Sequence, residues 1–316
     1  MRRLSERVGK AGKLVCLAVA SLLVVMLATT DSKAAQEDKD EPNTLHEGYS
    51  ASIFVDVDRN DAQAVTDLWC NIISRKKGLV AKTKIYDKLS DLEKDLKLKK
   101  VDLVAMVSNE FVELKNRLLM DPLFISSRQG ELYESLVLLV RRDSGIRSIV
   151  DLRNKIFIQS RGRYAAVHRI WLETLLMKEG VPNLKCFFAS YKEAMKPSQA
   201  VMPVFFRQAD ACITTRNFFE VLSELNPQLR RDIMVLKESR PIATGVIAIR
   251  KDLSIQKRDA LLEFLENLHQ DPLGKQLLTM FRMDRLVPYK HEYLATMEAF
   301  LKEHHDLRSQ MAKGVK

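Results

Sequence analysis

Four cysteines in the chain, none in a C-x-x-C pair, exclude a disulfide-stapled scaffold and a thiolate zinc site. No G-x-S-x-G, P-loop or H-E-x-x-H motif occurs, so the sequence offers no catalytic set. His46, His168, His269 and His291 lack metal-ligand spacing and His304-His305 fall on a helical stretch, so all read as surface histidines. There is no repeat at a fixed period and no low-complexity tract. The apolar run Leu14–Ala28 is shorter than the roughly 20 residues that cross a bilayer as an α-helix. The formal charge of +10 is also uneven. Arg2, Arg3, Arg7, Lys10, Lys13 and Lys33 against Glu6 and Asp31 put +4 of it in residues 1–34. The remaining +6 is mild for so long a chain and gives no sign of a nucleic-acid protein.

What is present is enough for folded domains. With 46% hydrophobic and 29% charged residues, 316 residues suit about two domains of ordinary size. The basic Met1–Lys13 stretch, the short apolar run and Ser32-Lys33-Ala34 have the three parts of an export signal, residues 1–34, cleaved after Ala34. An uncleaved membrane anchor is the alternative. Residues 35–48 read as a flexible leader. From Ala51 onward, β-like runs alternate with helical ones: Ala51–Val57 as a strand, a helix face at Val65, Leu68, Trp69, Ile72 and Ile73, then Leu79–Tyr86. Ser90-x-x-Glu93 reads as a capping box and Val101–Val107 as a strand buried on both faces. A second series runs through Leu136–Val140, Ile156–Gln159, a helix over Tyr164–Glu179, and strands at Leu184–Ala189, Ala209–Thr214 and Ile233–Leu236. After Gly245–Arg250 the chain is helical. Such an order implies parallel sheets with right-handed crossovers. Cys70, Cys186 and Cys212 are expected to be three buried free thiols, because the Ile156–Gln159 strand should separate the last two.

The stretch Ser148-Ile-Val-Asp151-Leu152-Arg-Asn-Lys155-Ile-Phe-Ile-Gln-Ser160 carries more information than any other. It resembles the segment of phosphonate/phosphate-type periplasmic substrate-binding proteins of ABC importers that enters the second lobe. Phe188-Ala-Ser190-Tyr191, Gln208-Ala209-Asp210-Ala211, Glu238-Ser-Arg240-Pro241 and Asp271-Pro-Leu-Gly274-Lys275 extend the likeness in order. The resemblance implies an α/β type II periplasmic binding protein: two doubly wound lobes joined by two crossings. Lobe one would be 49–138 and 246–300, lobe two 139–245, and 301–316 a helical C-terminal tail. It also implies a periplasmic monomer without cofactor or metal and with no chemistry of its own. Such a chain captures a small, anionic ligand and delivers it to an ABC permease in the inner membrane. A binding protein that reports ligand to a membrane sensor is the alternative.

For the ligand site, the family pattern points to the turn Ser160-Arg161-Gly162-Arg163, where the family is rich in Ser and Thr and this chain has two arginines. A helix N-terminus draws anions by itself, and Arg161 and Arg163 add planar donors. They could equally be solvated, or pair with Asp58 or Glu110. Tyr164 and Tyr191, Thr214 and Thr215 after a strand end, and Ser108 and Asn109 in the first lobe complete the candidate set.

Overall fold

A computed structural model describes residues 43–54, 57, 59–161 and 164–314. The expected export signal and most of the expected leader lie outside the described residues, as do Gly162 and Arg163. The chain runs β1 (Thr44–Ser50), α1 (Arg59–Lys77), β2 (Val80–Tyr86), α2 (Leu89–Lys97), β3 (Leu103–Val107), α3 (Ser108–Leu114) and β4 (Met120–Ser127). A short β5 (Tyr133–Glu134) leads to β6 (Leu136–Arg141), β7 (Ile156–Ser160), α4 (Ala165–Lys178), β8 (Ser190–Ala194), α5 (Pro197–Phe205) and β9 (Ala211–Thr215). Then follow α6 (Arg216–Leu225), α7 (Pro227–Asp232), β10 (Ile233–Glu238), β11 (Ile242–Ala243) and β12 (Gly245–Arg250). The chain ends in α8 (Ile255–Asn267), α9 (Pro272–Met280), β13 (Arg285–Pro288) and α10 (Ala295–Gly314).

These strands make two main sheets. The first has the order β13-β4-β12-β3-β1-β2 and the second β10-β6-β9-β7-β8. Within them β1 runs parallel to β3, and β7 parallel to both β8 and β9. Each sheet is apolar on both faces because helices cover both. Trp69 of α1, Leu265 of α8 and Leu277 of α9 pack on one face of the first sheet, and Leu92 of α2 and Phe111 of α3 on the other. Trp171 of α4 and Phe300 of α10 cover one face of the second sheet, Val201 of α5 and Phe219 of α6 the other. The two crossings meet as an antiparallel ribbon, β5 with β11. Among the described residues no helix is long and apolar enough to cross a membrane.

Several expectations need correction. The first strand is Thr44–Ser50, seven residues before the run expected, and the supposed leader residues 44–48 belong to it. It lies between β3 and β2 and is almost wholly buried, yet it carries His46 and Glu47, so no apolar stripe marked it. Leu184–Ala189 is a turn, not a strand. Phe187 and Phe188 are apolar there because they plug the second core, and the strand follows at Ser190. Cys186 is therefore exposed and Cys70 half-buried; only Cys212 is a buried thiol. Ser90 lies inside α2, whose N-cap Lys88 makes no side-chain bond. All of β6 from Leu136 belongs to the second sheet, and the C-terminal helix begins at Ala295 and packs there too. His168 is not on the surface: it is buried.

Candidate functional site

In doubly wound sheets ligands sit beyond the C-terminal ends of parallel strands. In the second sheet that edge is formed by β7 and β9, with Gln159 abreast of Ile213, so Ser160 and Arg161 stand beside Thr214 and Thr215. Gln159 and Ser160 are both buried. The Gln159 amide Nε2 donates to the Ala165 carbonyl at 2.8 Å, which ties the end of β7 to the first residue of α4. Its amide oxygen accepts from the Tyr191 hydroxyl. Burial pushes the Tyr191 phenol up to about 12, so it remains a donor, and its ring stacks on Phe157 at 5.6 Å. Tyr191 pairs with Phe157 early in β8, so it acts from behind the turn, through Gln159.

Arg161 is exposed. Its N–H donates to the Ala194 carbonyl at 2.8 Å, and its Nε to Glu193 Oε2 at 2.8 Å. The partner is thus a carboxylate of the same lobe, neither of the two expected; Asp58 lies outside the described residues. Tyr164, half-buried, occupies the N-cap position of α4, a helix long enough to present a full set of free N–H groups. Thr214 is buried in β9, and Thr215 caps α6 by accepting from the Phe218 N–H at 3.3 Å. Arg216 is occupied by Glu238 and Glu220.

The first-sheet residues lie at the matching edge. Ser108 opens α3, its N–H donates to the Thr244 carbonyl at 3.1 Å, and its hydroxyl donates to the Ala243 carbonyl. It therefore fastens α3 to the return crossing, and Asn109 beside it is buried. The Arg216 N–H donates to the Ser135 carbonyl at 2.8 Å, so the end of β9 abuts the outgoing crossing. Both candidate edges thus flank the β5/β11 ribbon. Ser52, which sequence reasoning missed, and Glu110, read there only as an alternative partner for an arginine, join the first edge: the Ser52 hydroxyl donates to Glu110 Oε1 at 2.7 Å. Glu110 Oε2 is buried with no hydrogen-bond partner among the described residues. With β1 correctly placed, Ser50–Ser52 would have been recognisable as the end of a parallel strand. Among the described residues no group of three or more His, Cys, Asp or Glu could hold a metal ion.

Two sheets joined by a two-stranded ribbon, with the candidate residues at the C-terminal ends of their parallel strands, are the architecture of a type II periplasmic binding protein. The chain matches the family model of the phosphonate ABC transporter periplasmic substrate-binding protein over residues 52–294 and belongs to that family. Similar solved structures include XAC2383 from Xanthomonas citri bound to ATP, at 16% identity and TM-score 0.64, covering 84% of this chain and 98% of that one. PhnD1 from Prochlorococcus marinus in complex with methylphosphonate is 16% identical with TM-score 0.60, covering 84% and 99%. A binding protein component of an ABC phosphonate transporter from Pseudomonas aeruginosa is 14% identical with TM-score 0.56, covering 86% and 99%. No curated protein matches the sequence.

Proposed function

We propose that this chain is an exported solute-binding protein that closes its two lobes on a small anion and delivers it to an ABC permease in the inner membrane. Ser160, Arg161, Gly162, Arg163 and Tyr164 form the anion seat in this reading, with Thr214 and Thr215 beside it and Ser108 and Asn109 opposite. Tyr191 serves by holding Gln159. The observation that carries the reading is the bracing of the turn: Tyr191, Gln159 and the Ala165 carbonyl form a polar chain at the start of α4. Buried polar networks of this kind rigidify what they hold, and a rigid helix N-terminus is a ready anion site.

The same geometry supports an anion as the ligand class, as do the relatives, one carrying methylphosphonate and another ATP. Methylphosphonate, inorganic phosphate and ATP therefore form the first panel. Thermal unfolding of the mature chain should rise with one of them, since a ligand at 100 times its Kd adds about 2.7 kcal/mol to stability. No shift with any panel member, confirmed by calorimetry, would refute the anion reading. Intact mass of the exported protein should begin at Ala35; a chain retaining Leu14–Ala28 would refute signal cleavage.

A further inference from the structure

The core of the first lobe is not completely filled. Between the first sheet and helices α1 and α9 lies a cavity of about 50 Å³, several times the room that one water molecule needs. Protein interiors hold few voids of that size. Its floor is made of small residues on three neighbouring strands: Ser126 of β4, Gly245 of β12 and Ala105 of β3. Ala105 is only half-buried, although β3 is an inner strand and Val104 and Met106 on either side are buried. A Cβ at Gly245 would stand 2.9 Å from Ser126 Oγ, so a side chain there would close that corner. The Tyr49 hydroxyl is taken by Glu47 and the Ser126 hydroxyl by Thr244 Oγ1, which leaves hydrocarbon and aromatic surface facing the void. The cavity also reaches the candidate ligand edge. Its lining residue Ile53 follows Ser52, which bonds Glu110; Gly245 follows Thr244, whose carbonyl accepts the Ser108 N–H.

We propose that this cavity seats an apolar substituent of the ligand, so that the solute is a tetrahedral anion bearing an alkyl chain of about three carbons. The proposal rests on the reading of the strand edges as the site of a bound anion, and adds what the anion carries besides its charge. The charged head stays at the edge, and the chain passes Ile53 and Gly245 to lie on Ala105. Ala105 stands two residues before the end of β3, a depth of roughly 7 Å, which is the reach of a short alkyl chain. Each methylene group taken from water is worth roughly fourfold in affinity. A bare phosphate ion gains nothing from such a cavity. A polar chain is rejected by it, because no free donor or acceptor is offered by Tyr49 or Ser126.

The test uses the mature chain, with Ala105→Leu to fill the cavity from its floor, and two measurements. Calorimetric affinity is compared for methylphosphonate and n-propylphosphonate, and xenon, an uncharged probe of apolar voids, is followed by its NMR shift. Wild type should prefer the propyl compound by about tenfold or more, the worth of two further buried methylene groups. Ala105→Leu should lose both that preference and the xenon shift. Should the leucine variant melt well below wild type, Ala105→Val replaces it and should show a preference between the two. Equal affinity of wild type for the two phosphonates would overturn the proposal. So would a tenfold preference that persists in the filled variant, because the chain would then lie elsewhere. If wild type binds neither phosphonate, the anion reading fails, and xenon decides the apolar seat separately. Xenon lost on filling upholds the seat, and equal xenon binding in both proteins overturns it.

Discussion

Single charged groups in this fold carry effects out of proportion to their number. Glu47 is buried in the middle of β1, its carboxylate accepting from the Tyr49 hydroxyl at 2.6 Å. Burial raises its pKa to about 7; the Tyr49 bond offsets part of this and the neighbouring Asp102 adds to it. A carboxyl whose folded pKa lies above its unfolded value favours folding only while protonated. Stability should therefore fall as pH rises from about 4.5 to about 7, by about 3 kcal/mol for this group, and then level off. Denaturant unfolding of wild type and Glu47→Gln across that range should diverge steadily, the variant becoming the more stable at pH 8. Parallel curves would show that Glu47 is not protonated in the fold. At the candidate site, Arg161 is shared with Glu193. Arg161→Ala should weaken binding of the best panel anion by roughly tenfold with little change in melting temperature. Glu193→Gln removes the competing carboxylate and should tighten binding by up to about fivefold, an exposed ion pair being worth at most about 1 kcal/mol. Calorimetry that finds looser binding in Glu193→Gln would mean that the pair holds Arg161 in place for the ligand.

At the scale of elements, legibility followed burial chemistry. Apolar strands such as β3, β6 and β12 were readable, because helices cover both faces and leave only Val, Ile, Leu, Ala and Met as solutions. Strand β1 was not, since its buried positions include the polar residues Thr44, Glu47 and Ser50, and Glu47 and Ser50 find partners within two residues, the Tyr49 hydroxyl and the Ser52 N–H. That error displaced the first-lobe edge as well, and hid Ser52. The place of Ser160 at the end of a strand was legible from the family pattern. Its bracing was not, because Gln159 and Tyr191 are ordinary residues until the fold brings them together. Helix α9 shows a motif with a local cause. Asp271 caps it by accepting from the Gly274 N–H at 2.9 Å, and a Cβ at Gly274 would stand 2.1 Å from the Leu268 carbonyl oxygen. The obstacle is backbone, so the preceding turn would have to move. Gly274→Ala should cost about 1–3 kcal/mol, read as a lower denaturant midpoint with an unchanged slope. A midpoint within error of wild type would mean that the α8–α9 junction yields freely.

Across the whole molecule, the C-terminal helix is what the expected division into lobes and tail missed. Leu294, just before α10, packs in the first-lobe core with Phe111 and Val246, while Met297 and Phe300 enter the second-lobe core beside Trp171 and Leu172. Ion pairs repeat the pattern: Glu298 meets Lys115, the C-cap of α3, and Glu303 and His304 meet Lys178 and Glu173 of α4. Helices α3 and α4 begin at the two candidate ligand edges, so α10 packs against the far ends of both. The second lobe is therefore completed by a segment that leaves the first, and neither core closes on its own stretch of chain. Truncating Phe300, which is 8% exposed, removes a large ring from that shared core. Phe300→Ala should destabilise the protein by about 3 kcal/mol or somewhat more, the range for large-to-small core changes. The loss should also be localised. Hydrogen exchange should quicken in α4 and β7, which rest on α10 or on α4, before it quickens in β3 of the first sheet. Exchange that quickens equally in both sheets would show that the lobes unfold as one unit. Exchange unchanged in α4 would show that the helix contributes only a surface cover.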